Sequence, residues 1–155
     1  MKKSKSRQTA SRHNRSLPLD ACPSCGTMMV EKRKALRLPV NGEEVTVPSV
    51  AHLHCPQCHE MVLRFADSKR FGEDAITIYR KKHGLLSADE LRDLRLRLNL
   101  TQAKLCQLLG LGANTISRWE AGRNVQTTAM DMLLRLIRDL PGSIDYIREH
   151  HQAAA

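Results

Sequence analysis

Two short cysteine motifs constrain this chain more than anything else in its 155 residues: Cys22-Pro23-Ser24-Cys25-Gly26 and Cys55-Pro56-Gln57-Cys58. A Cys-x-x-Cys turn points both sulfurs at one ion while backbone amides donate to them, and Pro and Gly favour that turn. One such motif could be a redox pair or chance. Two supply four thiolates and close a tetrahedral site with no open position. The 29 residues between the pairs exceed the usual gap of roughly 15–20, and a hairpin accounts for the excess. Asn41-Gly42 offers the two positive-φ positions of a type I′ turn. That register sets Leu38 opposite Val45, Leu36 opposite Val47 and Arg37 opposite Thr46. One face is then apolar and the other polar, as a half-buried hairpin requires. A module of about 40 residues cannot bury enough area to fold unaided, so the cysteines are its staple. The expectation is one structural Zn2+ per chain, held by Cys22, Cys25, Cys55 and Cys58. His52, His54 and His59 lie nearby and are read as surface groups or supporters of the ligands. A closed four-thiolate site leaves no place for a bound water, so hydrolysis at this metal is not expected.

Cys106 falls outside the pattern and reads as a small core residue. Five cysteines without an apolar signal region argue against a disulfide scaffold. No stretch approaches the roughly 18 apolar residues of a membrane helix. A cytoplasmic protein with no membrane partner is therefore expected. The net charge of +9 favours a polyanionic partner without naming one. Residues 1–19 hold six Lys/Arg and no acid, and read as a disordered basic tail, either merely solvated or tracking phosphates. Lys69, Arg70, Arg80, Lys81 and Lys82 carry the rest of the excess.

Residues 20–66 form the expected zinc-binding module and 67–86 a helical joint, with Phe71, Ala75, Ile78 and Tyr79 at helical spacing. That joint serves either as a linker or as a helix packed on one of its neighbours. From 87 to 150 every signal is helical. Ser87-Ala88-Asp89-Glu90 is a capping box. Thr101 caps a helix over 102–109 with Ala103, Leu105, Cys106 and Leu109 turned inward. A tight Gly110-Leu111-Gly112 turn precedes a helix over 114–121, ended by Gly122. Thr127 or Thr128 starts a fourth helix, and Ser143 caps a last one running to His150. The fold class is thus α+β: a small zinc-bound β-hairpin module, then an all-α helix-turn-helix domain of five helices.

Within that domain Ile116 and Trp119 are three apart and point to the core, which turns Asn114, Thr115, Ser117, Arg118 and Ala121 outward. Asn114 and Arg118 share one face. Asn pairs bidentately with adenine and Arg with guanine in the major groove. Gln102, at a helix start, is placed to donate to a phosphate. Arg123 and Asn124 are further candidate phosphate contacts, whereas Lys104 reads equally well as solvated. Met130, Met132, Leu133, Leu136, Ile137, Ile144 and Ile147 offer more apolar surface than one small domain needs, so a homodimer through the C-terminal domain is expected.

Thr101-Gln102 and Ile116-Ser117-Arg118-Trp119-Glu120-Ala121-Gly122 resemble the Xre family of helix-turn-helix domains. With the two knuckles in front, the arrangement over about residues 20–140 resembles the MqsA-type antitoxins, which carry a YgiT-type zinc finger. The resemblance implies structural zinc, a dimerising C-terminal domain that represses its own operon, and base reading by the residues at Asn114 and Arg118. It also implies a ribonuclease toxin as partner of the zinc module. Double-stranded operator DNA is the expected ligand. The alternatives are a stand-alone regulator without a toxin, and a zinc ribbon that binds RNA or protein. No nucleophile–base arrangement is present, so no enzyme is expected.

Overall fold

The computed structural model describes residue 18 and residues 20–151; the basic tail of 1–19 lies almost wholly outside them. The chain runs β1 (Val30–Val40), β2 (Glu43–His54), β3 (Met61–Val62), then α1 (Phe65–Lys82), α2 (Ala88–Arg97), α3 (Gln102–Leu108), α4 (Thr115–Glu120), α5 (Thr128–Asp139) and α6 (Ser143–His151). The three strands form one antiparallel sheet in the order β1-β2-β3.

The hairpin has the expected register, Leu36–Val47, Arg37–Thr46 and Leu38–Val45, because Asn41 and Gly42 take φ of +51° and +83°, as a type I′ turn requires. Beyond this the strands are longer than the turn-proximal alternation reveals. The ladder breaks between Lys34 and Leu36, opposite Pro48 and Ser49, and resumes at Lys34–Val50. Proline lacks the ladder donor, so an irregularity is where it is tolerated. β1 is an edge strand, exposed along Val30–Ala35, and its Lys32, Arg33 and Lys34 discourage pairing with another chain.

α1 covers this sheet. Phe71, Ala75, Ile76 and Tyr79 pack on Val40, Val45, Val47 and Val50 in one buried cluster. Of the anticipated stripe, Ile78 is only half-buried, and Ile76 takes the inner place. Asp67 in the first turn and Arg80, Lys81 and Lys82 in the last complement the helix dipole. Lys82 and His83 both reach Glu43 of β2, His83 at 2.8 Å.

Helices α2–α6 enclose a second core of Leu86, Leu91, Leu94, Leu105, Cys106, Ile116, Trp119, Leu134 and Ile137. The Ser87–Glu90 capping box starts α2, and Thr101 and Thr127 cap α3 and α5 through Lys104 and Met130 amides at 3.1 and 3.2 Å. Three expectations need correction. Ala103 is exposed rather than inward, since Leu105 and Cys106 already fill that side of a helix of seven residues. Ser143 begins α6 inside the helix, and its hydroxyl donates back to Leu140 O at 2.8 Å, closing the end of α5. Asn114 stands just before α4 rather than within it.

The α1–α2 joint is tied to α5 by polar groups. Asp131, buried, accepts from Leu86 N at 2.7 Å, Gln126 Nε2 at 3.0 Å and Arg135 Nε at 2.7 Å. Arg135 and Gln126 also donate to Gly84 O at 2.7 Å and Leu86 O at 2.8 Å. Burial alone would raise the Asp131 pKa, but the Arg135, Leu86 and Gln126 hydrogen bonds hold it below the usual value. A depressed folded pKa adds stability above the unfolded value, lost as pH falls through the folded one. Asp131→Asn replaces an acceptor by a donor facing donors and should cost about 2–3 kcal/mol. Urea unfolding at several pH values checks this: the variant should be less stable at pH 7 and lose less stability than the parent on acidification toward pH 3.

Candidate metal centre and nucleic-acid interface

Both cysteine knuckles are closed by the same backbone bonds. The first cysteine's amide donates to the carbonyl five residues on, Cys22 to Thr27 at 2.8 Å and Cys55 to Glu60 at 2.9 Å. Its carbonyl accepts from the amide four residues on, Gly26 at 2.9 Å and His59 at 3.1 Å. That fourth residue has positive φ in both turns, +74° at Gly26 and +62° at His59. Glycine adopts this freely, whereas a side chain is held there only by the surrounding structure.

The two turns bring their sulfurs together. Cys22–Cys58, Cys25–Cys55 and Cys25–Cys58 are each 3.5 Å apart, and all four sulfurs lie within 4.8 Å of one another. Tetrahedral zinc with bonds of about 2.3 Å places its sulfurs about 3.8 Å apart, so the donor set fits. Cys22 and Cys55 are buried with Met29 and Leu53, and Cys25 and Cys58 face solvent. Hydrogen bonds from the Thr27 side chain and amide hold the Cys25 thiol down to about 6. The Glu60 amide would lower Cys58, but hydrogen bonds shared with Cys22 and Cys55 push it up to about 12. Four thiols this close cannot all ionise unaided, and a bound dication is what lets them. None of the neighbouring histidines joins the cluster. His52 is buried rather than on the surface, with Nδ1 3.1 Å from Val50 O, while the His54 and His59 rings lie 5.7 Å apart.

On the helical side, α3 and α4 are joined by a turn in which Leu111 N donates to Cys106 O at 2.8 Å and Thr115 N to Gly112 O at 2.9 Å. Ile116 and Trp119 are buried, at 2% and 5% exposure, and this fixes which side of α4 faces out. Asn114 and Arg118 are exposed there. Asn114 sits at the N-cap, yet its side chain makes no capping bond. Arg118 makes no ion pair among the described residues. Thr115 and Ser117 are half-buried, and the Ser117 hydroxyl donates to Asn114 O at 3.1 Å. Arg123 and Lys104 are exposed, and the Asn124 side chain accepts from Val125 N at 2.8 Å.

Gln102 stands apart from this free set. Its amide donates at 2.8 Å to Glu120, which also receives Arg95 Nε at 2.6 Å and Nη2 at 2.9 Å. Burial opposes ionisation of Glu120, but the Arg95 and Gln102 hydrogen bonds and the Arg95 and Arg92 charges outweigh it and depress its pKa. This network clamps the end of α4 to α2 and α3.

Arg80 escaped sequence reasoning. It is 4% exposed, and its Nη2 donates to Trp119 O at 2.9 Å and Asn124 O at 3.0 Å. The available signal was its spacing, since position 80 continues the buried stripe of 71, 75, 76 and 79 on α1. On α5, its C-cap and α6, Met132, Leu136, Leu140 and Tyr146 are exposed, whereas Ile137 is core and Met130, Leu133, Ile144 and Ile147 pack against it. Among the described residues no helix is long and apolar enough to cross a membrane.

The family described as the antitoxin component of bacterial toxin-antitoxin systems, MqsA, matches residues 20–148. Antitoxin MqsA of Escherichia coli (strain K12) is 26% identical over 129 residues, covering 82% of this chain and 98% of that protein. Antitoxin HigA-2 of Vibrio cholerae serotype O1 is 26% identical over 97 residues, 58% of this chain and 91% of that protein.

Metal analysis should find one zinc per chain in the parent and in His54→Ala and His59→Gly, and none in Cys55→Ser. Because α1 grips the hairpin tip, chelation should melt the knuckle end around Met29 and Leu53 while α2–α6 keep their helicity. Circular dichroism with amide exchange separates the two regions; retained protection at Leu53 after chelation would count against a structural ion.

Proposed function

The chain belongs to the MqsA antitoxin family, matched over residues 20–148, and from that premise we propose that it is an antitoxin that represses its own operon by reading operator DNA. The observation that carries the reading is the pair Asn114 and Arg118. Both are exposed, four residues apart, Asn114 at the N-cap and Arg118 within α4, with side chains uncommitted to neighbours, while the opposite side of that helix is buried. An uncapping Asn at an N-cap gives up a stabilising bond of about 1 kcal/mol, which makes sense where its amide is reserved for an adenine edge. Thr115, Ser117 and Arg123 border this face and are assigned to DNA contact with it. Gln102 is assigned a phosphate through the one amide hydrogen that Glu120 leaves free.

In this reading residues 20–66 are the zinc-binding unit, 67–86 the helix that joins it, and 87–150 the DNA-binding domain. Zinc on Cys22, Cys25, Cys55 and Cys58 supplies folding energy and no chemistry, and the chain has no enzymatic role. The exposed apolar residues of the zinc unit, Met28, Val30, Met61 and Phe65, support a protein partner there, namely a messenger-cleaving toxin. A cytoplasmic location follows from operator binding.

The test is a titration of operator and scrambled duplexes, with the operator located by footprinting on the chain's own promoter. Asn114→Ala and Arg118→Ala should each lose about 1–3 kcal/mol per half-site on the operator and relax preference at one base pair. Parent-like binding by both variants would remove α4 as the reader.

Met132, Leu136, Leu140 and Tyr146 further support a two-fold dimer that places two α4 helices on half-sites about one helical turn apart. Sedimentation should give a dimer at micromolar concentration, and Leu136→Glu should shift it toward monomer. A parent that sediments as a monomer both free and on DNA rules this out.

A further inference from the structure

We propose that Arg80 is the positioning residue through which α1, packed on the sheet beside the cysteine knuckles, holds the end of the DNA-reading helix. The proposal rests on the reading function assigned to α4. Arg80 is 4% exposed, and one guanidinium nitrogen spans two carbonyls, Trp119 O at 2.9 Å and Asn124 O at 3.0 Å. Those carbonyls bracket the exit of α4. Between them Gly122 N donates to Trp119 O at 3.2 Å and Arg123 N to Arg118 O at 2.8 Å, a helix end with its carbonyls gathered together. The negative end of the helix dipole lies there, and a cation is the group that complements it.

Stability alone does not call for arginine at this place. No carboxylate pairs with Arg80 among the described residues, and its Nε is buried without a partner. A buried cation held by two carbonyls and a helix end but by no opposite charge carries a desolvation cost that an apolar side chain of similar length would not. What arginine supplies instead is a grip on the helix end from an element outside the helical core. α1 is anchored on the sheet by Phe71, Ala75, Ile76 and Tyr79. The grip therefore references α4 to the sheet as well as to its own domain. Arg118 precedes the first gripped carbonyl by one residue and Arg123 precedes the second by one. A shift of either carbonyl moves a DNA-facing side chain, and recognition geometry tolerates only about 0.5 Å.

The test compares the full-length parent, Arg80→Met and Arg80→Lys on an operator duplex and a scrambled duplex at several salt concentrations. Arg80→Met should lose about tenfold of its operator-over-scrambled preference, the worth of one charge-assisted hydrogen bond. Its affinity for scrambled DNA, its salt dependence and its single zinc should stay as in the parent, as should the emission of Trp119, the sole tryptophan. Arg80→Lys, which keeps a cation but not the reach, should fall between the two. Parent-like preference in Arg80→Met, or an equal loss on both duplexes, overturns the proposal. If Arg80→Met does not fold, Arg80→Lys decides alone, and parent-like preference in it overturns the role. A parent that itself binds both duplexes alike ends the reading function, and this role with it, which is a different result from a parent that discriminates and a variant that does so equally.

Discussion

Four cysteine sulfurs within 4.8 Å of one another set where the two strands of the hairpin begin and end. Thiols have weak mutual attraction, and the small cluster around them, Cys22, Met29, Leu53 and Cys55, is far too little apolar area to hold four chain segments together. A shared dication supplies the missing free energy, on the order of 10–16 kcal/mol for small zinc modules. With the knuckles pinned, β1 and β2 must start and end side by side, and β3 has one free edge to join. α1 then leaves the sheet at Phe65 and folds back over it. The hairpin thus has two supports, the ion at its open end and α1 near its turn.

What sequence reasoning could see followed from how local each signal is. The hairpin register was legible because Asn41-Gly42 and the Leu/Val alternation specify one pairing between them. The irregularity at Pro48 was not, since a missing ladder donor does not say at which residue the pairing resumes. The capping box at Ser87 and the threonine caps were legible because each bond spans three residues. The inner side of α3 was misjudged at Ala103, where a residue too small to signal its face was assigned by period alone. At the candidate nucleic-acid interface the outward set Asn114 and Arg118 was legible from the burial of Ile116 and Trp119. The engagement of Gln102 with Glu120 was not, because residues 102 and 120 meet only once the helices have packed.

Arg80 shows the limit of reading charge as surface. In composition it adds to the basic excess of the joint, and in the fold it contributes nothing to the exposed field. Its two acceptors are backbone carbonyls of Trp119 and Asn124, and a carbonyl carries no residue identity that a sequence pattern could match. Half-buried Arg135 is an intermediate case, pairing with Asp131 one turn away while a second hydrogen bond goes to Gly84 O. Buried arginines that satisfy main chain rather than acids are invisible to charge-pairing logic, although helical spacing still marks their face.

The side chains around α4 divide by whether they are already committed. Glu120, Gln102, Arg95 and Arg80 are bound to one another or to main chain, and Ser117 donates to the helix itself. Asn114, Arg118 and Arg123 face solvent, with neither Arg118 nor Arg123 in an ion pair among the described residues. A helix of six residues has too few internal bonds to hold a shape alone, so its rigidity must come from the committed group. That division separates two demands that compete within one short segment. A polar group spent on fixing the helix has less left for a ligand, and a group left for a ligand adds nothing to fixing it. By drawing its fixing groups from α1, α2 and α3, the fold leaves the outward face of α4 free to meet a ligand while its position is set from behind.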